Sequence, residues 1–148
     1  GTATTDDFRR VAERVSGIEL GWFFDQWVYS GGAPAYDVGW REHEIDGQRY
    51  LEVSIAQTRE PVFVAPLEIE WGASGAGASA RVWNRTERQH LLVPVGGPVD
   101  DVVLDPDGWV LSRSITEVPF EVGPPRIVAV DPPPRSAVAV AVVVRAPS

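Results

Sequence analysis

The sequence predicts a mainly β protein, an antiparallel β-sandwich preceded by two α-helices. Three observations predict it. From Tyr36 onward apolar and polar residues alternate, the period of a strand with one buried face. Turn signals, led by Asp46-Gly47, interrupt that alternation at short intervals. Before Tyr36 the apolar residues recur at helical spacing, and after it no stretch is suited to the helical crossover that a parallel sheet requires.

The first helix opens at Thr5 or Asp6, either of which can cap it, and Asp6 and Asp7 suit the positive end of its dipole. Phe8, Val11, Ala12 and Val15 form its apolar stripe, and Ser16-Gly17 stops it. A second helix begins near Glu19. It carries Leu20, Phe23, Phe24, Trp27 and Val28 on one side, with Asp25 and Gln26 turned away, and Gly31-Gly32-Ala33-Pro34 ends it. So aromatic a helix requires a surface to pack on, either the β-domain that follows or a neighbour.

The strands come next. Tyr36, Val38, Trp40 and Glu42 share one face of the first strand. On the second, Tyr50, Glu52, Ser54 and Ala56 alternate with Leu51, Val53, Ile55 and Gln57. Asp46-Gly47 between them is a hairpin turn. Further strands are expected at Leu67–Trp71, Ala80–Trp83, Gln89–Val93, Asp101–Leu104 and Trp109–Ser112, with turns at Gly72-Ala73-Ser74-Gly75, Gly96-Gly97-Pro98 and Asp107-Gly108. About seven strands at such spacing is the pattern of a sandwich. Beyond them, Gly123-Pro124-Pro125 and Asp131-Pro132-Pro133-Pro134 flank Arg126–Val130, and Ala137–Val144 reads as one buried strand. The prolines suggest a linker into another β-module or an edge strand of this one. The expected organisation is therefore a helical pair over 1–34, a β-sandwich over 35–114 and a Pro-rich β tail over 115–148.

Composition narrows the function classes. The chain of 148 residues is 44% hydrophobic with six tryptophans, far from the low hydrophobicity of a disordered chain. Its 13 basic residues, all arginine, face 21 acids, for a net charge of -8. The basic footprint of a nucleic-acid or anionic-membrane binder is missing. Without cysteine there is no disulfide framework, thiolate zinc site or cysteine nucleophile. No run reaches the length of a membrane span, and the first residues do not read as a signal peptide. Localisation is left open.

Candidate chemistry is sparse. His43-Glu44 invites comparison with a helical HExxH zinc motif, but Gly47 stands where the second histidine belongs and the local pattern is a strand entering a turn. The other histidine, His90, also falls in a strand, so no metal centre can be assembled. Asp100-Asp101, Asp105 and Asp107 resemble a loose acidic loop, yet Pro106 breaks the oxygen spacing of a calcium loop, and a solvated turn is the simpler reading. Asn84-Arg85-Thr86 matches a glycosylation sequon, a pattern common by chance. Ser16, Ser30 and Ser54 lack a nucleophile elbow, and no glycine-rich phosphate loop precedes a helix. Trp40, Trp71, Trp83 and Trp109 could stack on sugars, although strand positions make most of them core residues. No catalytic, cofactor-binding or metal-ligating residue is assigned.

One combination of motifs points further. Phe8 through Gly17, Ile18-Glu19-Leu20, Phe23-Phe24, Gln26-Trp27 and Gly32-Ala33-Pro34 are followed by Gln57-Thr58 and then Leu104-Asp105-Pro106-Asp107-Gly108-Trp109. In this order they resemble the C-terminal part of the aminopeptidase N family of zinc metallopeptidases, which includes leukotriene hydrolase. In that family a Phe-Phe-x-x-Trp helix closes the thermolysin-like catalytic domain. A Gly-x-Pro turn then leads into a β-sandwich whose late strand carries Leu-Asp-Pro. The resemblance runs roughly from Thr4 to Arg113.

The resemblance implies a parent aminopeptidase with zinc in its catalytic domain, and a role for these residues as its non-catalytic β-sandwich part. The family's HExxH, its distant glutamate ligand, its oxyanion-stabilising tyrosine and its Gly-x-Met-Glu-Asn segment are all absent from this sequence. No hydrolysis is expected of the 148 residues themselves, since nothing in them would activate a water. The expected partner is the parent's catalytic domain, with peptide substrate reached only through the parent. The stretch Ile115–Ser148 departs from larger members, which continue into a helical domain; it resembles the start of a bacterial immunoglobulin-like module and suits a secreted or surface-attached parent. The expected fold is thus an immunoglobulin-like antiparallel sandwich with its helical pair. The alternative expectation is a free-standing or scaffold module that displays aromatics to a glycan or protein.

Overall fold

A computed structural model describes residues 2–73, 76–122 and 130–131. The chain divides into two compact units, Gly1–Ala33 and Pro34–Ser148.

In the first unit, α1 spans Thr5–Ser16. Its cap is Thr4, one residue ahead of Thr5, because Asp7 stands three positions on and closes a reciprocal box. The Thr4 hydroxyl accepts from the Asp7 amide at 3.2 Å, and the Asp7 carboxylate accepts from the Thr4 amide at 3.0 Å. These bonds from Thr4, backbone first, hold the Asp7 carboxyl below its ordinary 3.8. Gly17 terminates the helix in the left-handed region at φ 70, its amide donating to the Glu13 carbonyl. The second helix is not regular. A four-residue α2, Gly21–Phe24, passes into a π-helix over Asp25–Tyr29, closed by the Ser30 amide donating to the Asp25 carbonyl at 2.9 Å. The wider turn rotates the aromatics out of one line. Phe24 is buried, meeting Phe8 edge-on at 6.0 Å, whereas Phe23 and Val28 point to solvent. The Tyr29 hydroxyl reaches back to Asp6 at 3.2 Å.

The second unit is mainly β. Among the described residues eight strands form two four-stranded sheets: β1 Ala35–Ile45, β2 Gln48–Gln57, β5 Arg88–Pro94 and β7 Ser114–Glu117 in the order β5-β2-β1-β7, and β3 Ala65–Ala73, β4 Ala76–Asn84, β6 Asp101–Leu104 and β8 Val130–Asp131 in the order β6-β3-β4-β8. The Asp46-Gly47 turn has φ of 51 and 77, the left-handed pair that a two-residue hairpin demands, and it sets the β1/β2 register from Ile45 opposite Gln48 to Tyr36 opposite Gln57. Alternation then does the rest. Tyr36, Val38, Leu51, Val53, Ile55 and Leu91 from one sheet share a buried core with Leu67, Ile69, Val82, Val102 and Leu104 from the other. Each such side chain stabilises by about 1.5–3 kcal/mol on leaving water.

Two expectations need correction. The sheet is not wholly antiparallel: β7 runs parallel to β1, Ala35 opposite Ser114 through Val38 opposite Glu117. It reaches that edge from β6 of the other sheet, so no hairpin dictates its direction. Trp109–Ser112 is not a strand either. The Asp105 carboxylate accepts from the amides of Trp109 at 2.9 Å and Val110 at 3.0 Å and folds these residues into a loop. β7 begins just beyond that loop and spans the 114/115 boundary that the sequence suggests. Of the expected tail, residues 123–129 and 132–148, and with them Ala137–Val144, lie outside the described residues, as does part of the 72–75 turn.

Candidate functional site

The helical unit carries a run of exposed apolar side chains. α1 repeats Phe8, Val11 and Val15 along one stripe, yet none of its residues is buried: Phe8 is 66% exposed and Val15 82%. Ile18, Trp22, Phe23, Val28 and Tyr29 are exposed as well. Solvent does not favour such a concentration of aromatic and branched side chains, and surfaces of this kind mark docking faces. The other face of α1 carries solvated pairs, Arg9 with Asp6 and Arg10 with Asp7, which contribute little energy.

The residues singled out for chemistry are scattered. His43 and Glu44 lie on β1, on opposite faces of an extended strand, and His43 stands 3.9 Å from the Glu52 carboxylate. His90 is on β5, opposite Ser54 of β2. Burial pushes its pKa below the ordinary 6.5, Arg88 and Arg41 add to the shift, and Glu52 and Glu121 oppose it. Among the described residues no three His, Cys, Asp or Glu side chains are grouped to hold a metal ion. Asp105 is buried and fully engaged with backbone amides at φ 52, which gives Leu104-Asp105-Pro106 a structural role in turning the chain. Trp40 and Trp71 pack against the core, Trp83 carries Arg85 over its ring at 5.1 Å, and Trp109 is 79% exposed.

Asn84 gives the sequon a different meaning. It is completely buried: its amide donates to Gln89 Oε1 at 3.0 Å and its carbonyl oxygen accepts from Gln57. Gln57 in turn exchanges bonds with the Phe63 backbone, at 2.7 and 2.8 Å. This amide cluster joins the ends of β2, β4 and β5 across the two sheets and satisfies polar groups that would be costly if left alone. Sequence reasoning passed over it, although Gln57 and Gln89 sit in phase with apolar core positions, which was the available signal. An Asn so placed is closed to glycan attachment in the folded protein.

These features define a class: a two-sheet β unit together with a helical unit whose α1 carries an apolar stripe of exposed residues. No protein-family model matches the chain, and no curated protein matches it significantly.

Proposed function

We propose that these residues are the non-catalytic C-terminal part of a zinc metallo-aminopeptidase-like protein, an immunoglobulin-like β-sandwich with its helical lead-in, which braces the parent's catalytic domain and shapes access to its cleft. The motif order from Phe23-Phe24 and Trp27 to Leu104-Asp105-Pro106 motivates the family. The observation that carries a bracing role is the exposed stripe of Phe8, Val11 and Val15 on α1, which suits the flank of a larger domain. Catalysis and zinc reside, in this proposal, in the parent's catalytic domain. The test measures zinc content and aminoacyl-arylamide hydrolysis on the longest native chain that contains these residues and on residues 1–148 alone. Zinc with chelator-sensitive hydrolysis in the native chain, and neither in the 148 residues, is the expected result. A native chain without zinc or hydrolysis overturns the proposal.

A second reading, a module that presents aromatics to a glycan or protein, has one observation in its favour. Trp109 stands 79% exposed beside Leu111, held out by the Asp105 turn. A saturable tryptophan-fluorescence change with oligosaccharides, lost in Trp109→Ala, would support it; a flat titration would remove it.

A further inference from the structure

We propose that the strap leaving β7, residues 118–121, is an acid-released latch: protonation of His90, which lies against Phe120, undocks it from the outer face of the β5-β2-β1-β7 sheet. The proposal does not depend on the one above.

Alternation leaves Gly39, Ser54 and His90 in one row of that face, across β1, β2 and β5, with Arg41, Glu52 and Leu92 in the next. Gly39 has no side chain, and the strap uses the space: an added Cβ there would meet Phe120 Cα at 2.8 Å. A backbone bond, a ring and an ion pair hold the strap down. The Val118 amide donates to the Val38 carbonyl at 2.8 Å, one bond beyond the paired residues of β7. The Phe120 ring stands edge-on to His90 at 5.9 Å and carries the Arg41 guanidinium 4.5 Å from its centre. The Glu121 carboxylate accepts from Arg88 of β5. Val118 and Phe120 are only half-buried, and Pro119 and Glu121 are exposed. So little burial makes the strap a segment that opens well before the sheet does.

His90 makes that docking depend on pH. The residue is 6% exposed, and its Nδ1 is buried without a hydrogen-bond partner. A neutral imidazole tolerates this place better than an imidazolium, whose two nitrogens both donate and whose charge requires water or a free acceptor. The charged groups around it leave no acceptor free. Arg41 of β1 and Arg88 of its own strand face it as like charges, and Glu52 of β2 and Glu121 of the strap as opposite ones. Both carboxylates are engaged: Glu52 holds the Arg41 guanidinium at 2.8 Å and lies 3.9 Å from His43, and Glu121 holds Arg88. Burial above all, with the arginines adding to it and the carboxylates opposing, keeps the docked His90 below the ordinary 6.5. Undocking takes Phe120 off the ring and admits water, so His90 under an open strap titrates nearer 6.5. The docked state is therefore the poorer proton binder. Its advantage is complete above 6.5 and is lost as pH falls toward the lower docked value. Acid thus uncovers Phe120 and the row of Gly39, Ser54 and His90, a surface closed at neutral pH.

The experiment measures amide hydrogen exchange on the full chain by NMR at about pH 7.5 and about pH 5, either side of the imidazole range, with each rate corrected for the intrinsic effect of pH. At both values the Val118 amide should be less protected than the amides of β2, and its protection should fall several-fold between them. His90→Gln, which does not titrate in this range, should keep Val118 bonded to Val38 and make its protection independent of pH. Protection of Val118 equal to that of β2, unchanged with pH, or falling as far in His90→Gln would overturn the latch. Phe120→Ala gives a second measurement that spares the core, since Phe120 lies half-buried on the outside of the sheet. In that variant the His90 imidazole should titrate closer to 6.5 than in the native chain, and an unmoved titration would equally overturn the proposal.

Discussion

The two units solve the problem of apolar surface in opposite ways. In the β unit Leu51, Val53 and Leu67 are wholly withdrawn from water, and both sheets contribute to one core. In the helical unit α1 buries nothing, and its most apolar residues are among the most exposed in the chain. Hydrophobic residues by themselves therefore do not distinguish core from interface. What distinguishes them is whether a second layer seals the apolar face, as the two sheets do for each other, whereas no residue of the twelve in α1 is buried.

The largest effect that could break this comparison is at Leu67, on β3 opposite Val82. Leu67→Ala should cost about 2–5 kcal/mol in denaturant unfolding, the lost transfer energy together with the cavity left between packed sheets. An unchanged midpoint would mean that the sheets do not share a core. Next is Asn84→Leu, which keeps the branched shape of the amide at a somewhat larger volume while removing the partner of Gln57 and Gln89. Orphaning these groups should cost about 1–3 kcal/mol each, and a neutral result would show that water replaces the cluster.

The two units should also separate along the pH axis. His90 in the β unit has its pKa lowered by burial, so the unfolded chain takes up the proton first. Its contribution is complete above the ordinary 6.5, and stability is lost as pH falls from there toward the lower folded value. Asp7 in the helical unit is also lowered, but from 3.8 and as an acid. Its contribution persists above 3.8 and is lost as pH falls further, through the folded value. Melting curves followed by a β-unit tryptophan should therefore soften below pH 6.5 and lose that dependence in His90→Gln. Helical content should weaken only at lower pH. Simultaneous loss of both signals, unaltered by His90→Gln, would deny the assignment.

Much of the β unit was legible because its signals are local and agree with one another. Asp46-Gly47 names its own turn, and Leu51, Val53 and Ile55 keep strict alternation through β2. What escaped notice has more than one source. The Asp105 carboxylate takes the Trp109 amide only four residues on, a local turn whose extent the Asp107-Gly108 signal does not give, whereas the parallel course of Ser114–Glu117 beside β1 depends on a partner far away in sequence. The π-helix was hidden for a different reason. Phe23, Phe24, Trp27 and Val28 fit an α-helical stripe well, and only the Ser30 to Asp25 bond shows that the turn is wider. The amide cluster likewise arises from strand register, which a hairpin fixes locally and a sheet fixes only as a whole.

The smallest expected effect is the sharpest test of the comparison. Val15 is 82% exposed, and Val15→Ser changes neither the Thr4 cap nor the Gly17 stop. In the 148 residues it should alter stability by no more than about 0.5 kcal/mol, as surface changes do. If α1 docks on a catalytic domain, the same change in the native longer chain removes a methyl-bearing side chain from a sealed interface. It should then cost roughly 1–2 kcal/mol there, since burial converts area into energy. The difference between the two contexts is the quantity to measure. A difference near zero would leave the stripe solvent-facing in every context, and the bracing role would fall with it. A substantial loss already in the 148 residues would mean that α1 packs on something within the chain itself, and the contrast between the two units would disappear.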